Sequence, residues 1–186
     1  MTENYTKVRL VGYTQPAEEF KDQFKSIGDL VVFCARVSNP SNQLNTETSE
    51  KLINYLLKHK HFSPFEMASI TLEVETTRDI ARQLLRHRSF TFQELSQRYA
   101  DPTKELSFVL RQARLQDQKN RQNSIAVDDP HLQASWNAYQ QMVIDASTQA
   151  YNWAVSNGIA KEQARAVLPE GNMKSRLYVQ GTIRSF

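Results

Sequence analysis

The sequence predicts a mixed α/β fold of the α+β type, one domain over residues 1–186 with a central sheet flanked by helices. Three observations carry that expectation. Segments alternating with period two recur at Lys7 to Tyr13, Met67 to Glu75 and Ser175 to Gln180. Between them, apolar residues fall three and four apart, the helical spacing. With 186 residues, 40% hydrophobic and 23% charged, the chain suits one ordinary core and is short for two.

Taken in order, KVRLVGY at Lys7 to Tyr13 reads as a strand that stops at Thr14-Gln15-Pro16. Ala17 to Ser26, with Phe20 and Phe24 four apart, reads as a helix. The apolar run Leu30 to Val37 reads as another, with a buried strand as the alternative. Thr46 or Thr48 caps a helix striped by Leu52, Ile53, Leu56 and Leu57, which closes at His59-Lys60-His61. MASITLEVE then puts Ala68, Ile70, Leu72 and Val74 on a buried face and Ser69, Thr71, Glu73 and Glu75 on a wet one.

Thr77 caps the short helix TRDIARQLLRHR, whose Ile80, Ala81, Leu84 and Leu85 face the core. Arg78, Arg82 and Arg86 line its other side. Such a row is usually solvated, and it costs stability unless acids or phosphates meet it. Leu106 to Gln112 reads as a strand and Gln116 to Ser124 as a mobile loop. In the longest helix, Asp128 or Asp129 is the cap, Pro130 fits the first turn and Gly158 is the stop. Trp136, Tyr139, Met142, Val143, Ala146, Ala150 and Trp153 keep helical spacing, with both tryptophans expected in the core. Ile159 to Leu168 is a shorter helix ended by Pro169, and Ser175 to Gln180 the last strand. Gly181 to Phe186 reads as a cap and first helical turn, too short to stand alone, so a continuation is expected.

Composition narrows the function classes. Aromatic content of 10% and a net charge of +3 argue against disorder. No apolar run approaches the roughly 20 residues that cross a bilayer, and MTENYTKVRL carries no hydrophobic signal segment. A cytoplasmic protein with no membrane partner is expected. The single Cys34 excludes an internal disulfide, CxxC chemistry and a thiolate zinc cluster. His59 and His61 are two apart and share no helical face, so no metal is expected. An excess of 23 basic over 20 acidic residues does not by itself call for nucleic acid, and no nucleic-acid partner is expected. An RNA-binding reading, with Tyr99 and Phe92 stacking beside the arginines, ranks below the nucleotide readings.

The densest chemistry lies between Arg86 and Tyr99, in RHRSFTFQELSQRY. Guanidinium groups grip phosphate oxygens in bidentate fashion, each such bond being worth about 1.5 to 3 kcal/mol. Arg86, Arg88 and Arg98, helped by the Ser96 hydroxyl, suit a phosphorylated ligand. A structural cluster of salt bridges is the competing reading, and composition does not separate the two. No GxGxxG occurs, so a Rossmann cradle is excluded and side chains must hold any phosphate. Cys34 sits in the apolar run VVFCARV, where a thiol is more often inert core.

RHR followed by seven residues and Ser, with the Glu-x-Ser-x-Arg-Tyr tail, resembles the signature of the flavin-dependent thymidylate synthases. CARVS at Cys34 to Ser38, HFSPFE at His61 to Glu66 and ARAVLP at Ala164 to Pro169 extend the resemblance over nearly the whole chain. It implies that family's fold, FAD as cofactor, and a homotetramer whose active sites are shared between subunits. It also implies reductive methylation of dUMP to dTMP, with methylenetetrahydrofolate giving the carbon and NADPH the hydride through the flavin. By position, Ser63, Arg86, His87, Arg88, Glu94 and Arg184 become cofactor contacts. Gln83, Arg86, Glu94, Ser96, Arg98 and Arg165 become substrate contacts, with Arg165 and His61 in the catalytic places. Flavin hydride chemistry removes the need for a thiolate. Read without the resemblance, Arg165 pairs with Glu162 on its own helix and His61 caps a helix end.

The family pattern differs in two respects. It continues beyond the Arg-Ser-Phe step to a further arginine that activates the pyrimidine, so the resemblance implies a lacking C-terminal segment. Thr182 also stands where the family often has Asn. Loss of a contact that stabilises transition-state charge costs on the order of a hundredfold in rate. The alternative is therefore a catalytically incomplete fragment that binds nucleotide and FAD, complemented by a C-terminal chain or acting as a regulatory subunit.

Overall fold

The computed structural model describes residues 5–186; the first four residues of MTENYTKVRL, part of the segment examined for a signal, lie outside them. The elements are β1 (Lys7–Tyr13), α1 (Ile27–Ala35), α2 (Ser49–Lys58), β2 (Ser69–Thr77), α3 (Arg78–Leu84), β3 (Thr91–Glu94), α4 (Pro102–Glu105), β4 (Arg114–Gln116), β5 (Ser124–Ala126), α5 (Pro130–Ser156), α6 (Lys161–Ala164) and β6 (Lys174–Thr182). One sheet has the order β1-β2-β6-β3, and β4 pairs antiparallel with β5. The mixed α/β class is as expected, and all three alternating segments are strands. Contacts gather the described residues into two compact units, one of residues 5–7, 75–86 and 94–177, the other of residues 8–74, 87–93 and 178–186.

In the unit of residues 8–74, 87–93 and 178–186, Val31, Leu56, Phe65 and Ala68 form a buried cluster, flanked by Ile27, Leu52, Ile53 and Ile183. Helix α1 begins at a capping box. The Ser26 hydroxyl accepts from the Asp29 amide at 3.2 Å, and the Asp29 carboxylate accepts from the Ser26 amide at 3.0 Å. The same carboxylate accepts from the Lys25 amide at 3.0 Å, which fixes the chain just before the helix. That is why the helix expected over Ala17 to Ser26 shrinks to a 3₁₀ turn at Glu18–Phe20. Phe20 and Phe24 stack on each other, centroids 5.5 Å apart, and both meet Phe33 of α1. Thr48 is the N-cap of α2, but its hydroxyl accepts from the buried Arg36 guanidinium at 2.7 Å and caps no helix amide.

The unit of residues 5–7, 75–86 and 94–177 is organised on α5, about 40 Å long by its residue count. Asp129 caps it, accepting from the His131 and Leu132 amides at 3.0 Å each. Gly158, at φ 80°, ends it in a Schellman motif: its amide bonds the Val155 carbonyl at 3.1 Å, and the Ile159 amide bonds Ala154 at 3.0 Å. The core-facing residues are Gln140, Ile144, Ser147, Tyr151 and Ala154. This seam lies one residue round from the expected one, a rotation of about 100°. Trp136 and Trp153, expected in the core, are 42% and 62% exposed.

Side-chain hydrogen bonding explains that rotation. The Gln140 side chain accepts from the Arg111 amide at 2.7 Å and donates to the Arg111 carbonyl at 3.0 Å. Asn172 donates to the Val109 carbonyl at 3.0 Å. Leu106 to Gln112 is therefore no regular strand; side chains meet its backbone at Val109 and Arg111, and backbone pairing is limited to one isolated bridge from Phe108 to Met173 with its flanking bonds, Val109 N to Asn172 O at 2.8 Å and Lys174 N to Ser107 O at 3.3 Å. The segment read as a loop, Gln116 to Ser124, is the connection between β4 and β5, and it folds around Asp117, which accepts from the Lys119 and Asn120 amides. Strand β6 alternates as expected, with Ser175, Leu177, Val179 and Gly181 buried. It runs on through Thr182 into a turn closed by Ser185 N to Thr182 O at 2.9 Å, where a helical turn was expected.

Candidate active site

Helix α3 ends at Leu84, short of the expected Arg88, so Arg86-His87-Arg88 lies on the loop before β3. The arginine row is not uniformly solvated. Arg78 is 4% exposed, and its guanidinium reaches Glu94 at 3.3 Å and Glu170 at 3.4 Å. Arg82, half exposed, lies 3.7 Å from each of the same two acids. Acids therefore meet the first two arginines. Arg86 and Arg88 are exposed, and neither side chain has a polar partner among the described residues.

All six substrate residues expected from the sequence belong to the unit built on α5. Gln83 is exposed at the end of α3, and its carbonyl accepts from the Arg86 amide at 3.2 Å. The Glu94 carboxylate is held by Arg78 and by the Ser175 hydroxyl at 2.7 Å, so strand β6 fixes its orientation. Ser96 accepts from the Arg98 amide at 3.3 Å, a short turn that leaves the Arg98 side chain outward. Arg98 approaches the Glu162 carboxylate at 3.4 Å, and Arg165 donates to the Glu162 carbonyl at 3.2 Å. Glu162 thus joins the two arginines. The expected charge pair of Arg165 with Glu162 is not formed: among the described residues Arg165 meets only the Glu162 carbonyl, and the carboxylate goes to Arg98.

His61, Ser63, His87, Arg88 and Arg184 belong to the other unit. A second Schellman motif places His61: its amide bonds Leu56 O at 2.9 Å, and the Lys60 amide bonds Leu57 O at 3.1 Å. Lys60 takes the left-handed position at φ 57°, where glycine is usual. Ser63 follows in an exposed first position of the Ser63–Met67 3₁₀ helix. Arg184 donates to Glu66 at 2.8 Å, and Thr182 donates to the other Glu66 oxygen at 2.8 Å. The Thr182 bond and the Arg184 charge hold the Glu66 carboxyl below its ordinary range.

Sequence reasoning missed the roles of Arg78, Glu170, Ser175 and Glu66. The available signal was electrostatic, since a row of arginines on one helix calls for acids facing it. Cys34 is half-buried and not a core residue as expected, and its partial burial raises the thiol above its usual range. Among the described residues, no group of His, Cys, Asp and Glu is placed to hold a metal ion, and no helix is long and apolar enough to cross a membrane.

The α+β frame pairs its inner arginines, Arg78 and Arg82, with acids and leaves Arg86 and Arg88 without polar partners among the described residues. Residues 21–186 match the family described as thymidylate synthase complementing protein, and the chain belongs to that family. A protein of Paramecium bursaria Chlorella virus 1, named probable flavin-dependent thymidylate synthase, is 44% identical over 96% of this chain and 80% of its own length. The flavin-dependent thymidylate synthase of Synechocystis sp. is likewise 44% identical over 96% of this chain and 80% of its own. Among solved structures, the UMP/dUMP methylase PolB from Streptomyces cacaoi, bound with 5-Br dUMP, aligns with a TM-score of 0.77. It is 27% identical and covers 97% of this chain and 74% of its own.

Proposed function

We infer that the chain is a flavin-dependent thymidylate synthase that methylates dUMP to dTMP. The observation that carries this reading is the unpaired state of Arg86 and Arg88 beside the acid-neutralised Arg78 and Arg82. Bidentate donors without acids are what phosphates of a nucleotide and of FAD require. By the family resemblance, Arg86, His87 and Arg88 with Ser63 would hold FAD, with Glu94 and Arg184 as further contacts and His61 near the flavin. When bound, FAD supplies the redox chemistry that no protein side chain offers, passing reducing equivalents from NADPH.

For the substrate, Arg98 and Arg165 supply charge, Ser96 and Gln83 supply neutral donors, and Glu94 fixes the polar edge of the base. The Arg98–Glu162 pair is exposed on both sides and worth little, so an incoming phosphate displaces it readily. Methylenetetrahydrofolate provides the carbon. The chain works as a cytoplasmic homotetramer with shared active sites. An exposed seam on α5 supports self-association: Leu132, Trp136, Tyr139, Val143 and Trp153 follow heptad spacing and are all at least 39% exposed. The test is dTMP formation from dUMP, methylenetetrahydrofolate and NADPH with FAD present. Tight dUMP binding with no dTMP formed would favour the incomplete-fragment alternative.

A further inference from the structure

Within the unit of residues 8–74, 87–93 and 178–186, three separate stretches meet on the end of strand β6. Gly181 faces Phe90, and a Cβ built there would overlap the ring edge, lying 2.8 Å from its Cε1. Phe186 packs on the other approach to the same ring, centroids 4.5 Å apart. The Ser185 hydroxyl donates to the Ser89 carbonyl at 3.3 Å. The opposite side of this segment grips the Ser63–Met67 turn: the Ile183 amide bonds Ala68 O at 2.8 Å, and Thr182 and Arg184 both donate to Glu66.

We propose that Gly181, Phe186 and Glu66 are positioning residues: residues 181–186 clasp the His87–Phe90 loop and the Ser63–Met67 turn onto one frame. The proposal rests on the reading that this loop and turn hold FAD. Ring packing on Phe90 steadies the short loop before it, in which Arg88 lies two positions upstream and His87, three upstream, meets the Phe90 ring at 5.7 Å between centroids. Gly181 is required because any side chain would push Phe90 out of its seat, and the loop with it. Glu66 is required because it fastens the clasp to the segment that carries Ser63. Site groups held by packing and hydrogen bonds bind better than groups left loose, and a displacement of about 1 Å is enough to lose one to two orders of magnitude.

The test uses the full chain and the variants Phe186→Ala, Gly181→Ala and Phe186→Leu. Hydrogen exchange of peptides covering residues 86–92 is measured without flavin, FAD affinity by fluorescence quenching, and dUMP affinity by calorimetry. Phe186→Ala and Gly181→Ala are expected to speed exchange of the loop and to weaken FAD about tenfold, with dUMP affinity within about twofold of the parent. Phe186→Leu, which keeps an apolar body, is expected to restore both. Phe186 is 53% exposed, so its truncation leaves the fold intact and decides the matter alone should Gly181→Ala fail to fold. A folded Phe186→Ala protein with parental loop exchange and FAD affinity overturns the clasp. Faster loop exchange with unchanged FAD affinity overturns both the positioning role and the assignment of flavin to this loop. Failure of the parent itself to take up FAD overturns the flavin reading, and the proposal falls with it.

Discussion

The buried Arg78 guanidinium and the Glu94 carboxylate form an ion pair at 3.3 Å, with the Ser175 hydroxyl donating to the same carboxylate oxygen at 2.7 Å. Arg78 is only 5% exposed in its side chain and Glu94 only 16%. Removing the charge of one partner strands the other in low dielectric, and that cost exceeds the net worth of the pair. Glu94→Gln is therefore expected to destabilise the fold by about 2 kcal/mol in denaturant titration, partly offset because Glu170 also faces Arg78. Glu170→Gln, at a half-exposed carboxylate, should cost less than about 1 kcal/mol. Equal costs for the two would mean that Glu94 has no structural part.

Arg98→Ala separates the two nucleotide sites. Its ion pair with Glu162 is exposed, 58% and 51% for the two side chains, so stability should change by less than about 1 kcal/mol. Loss of a bidentate phosphate contact worth about 1.5 to 3 kcal/mol should weaken dUMP roughly 10- to 100-fold. FAD affinity should hold. Equal losses for both ligands in parallel titrations would show the arginines wrongly divided.

Glu66 gives the clasp a pH dependence. Its folded-state pKa is depressed, first by the Thr182 hydroxyl and then by Arg184. A depressed carboxyl contributes stability above its unfolded pKa, near 4.3, and loses it as pH falls through the folded value. Below about pH 4 the parent should lose stability faster than Glu66→Gln, which has no proton to take up there. Parallel acid-unfolding curves for the two proteins would remove Glu66 from this role.

The outward seam of α5 predicts a defined assembly. Tyr139 is 64% exposed and Trp153 62%, so a charge at either position should change the folding free energy of the lone subunit by no more than about 0.5 kcal/mol. Tyr139→Glu and Trp153→Glu are expected to shift sedimentation from a tetramer to smaller species. Unchanged sedimentation of both variants would place the self-association surface elsewhere.

How far the sequence could be read differs from element to element, for physical reasons. Strands β2 and β6 were legible because period-two alternation reports a half-buried surface directly, and β1 was legible from its β-favouring residues although both of its faces are exposed. The register of α5 was not, because Gln140 and Ser147 face inward to hydrogen-bond while Trp136, Tyr139 and Trp153 face out. An apolar count cannot tell a core from an interface between copies. Leu106 to Gln112 failed as a strand because only Ser107 to Val109 pair with the backbone of 172–174, while the Val109 carbonyl and Arg111 are met by the Asn172 and Gln140 side chains. At the candidate site, the RHR motif, Glu94 and Arg98 were readable as residues, while the pairing of Glu94 with Arg78 and Arg82 was not, and the second acid, Glu170, comes from far along the chain. His61 sits where it does through a Schellman motif with Lys60 in place of glycine, a substitution that hides the signal.

The central claim is that unpaired guanidinium groups around Arg86 and Arg88 hold a flavin beside a uridine nucleotide. Its most direct measurement is the visible absorbance of the purified, FAD-reconstituted protein during titration with dUMP. The account predicts a yellow protein whose flavin bands shift saturably with dUMP, with both the yellow colour and the shift lost in an Arg86→Ala, Arg88→Ala double variant. A protein that stays colourless with excess FAD, or flavin bands indifferent to dUMP, would contradict it.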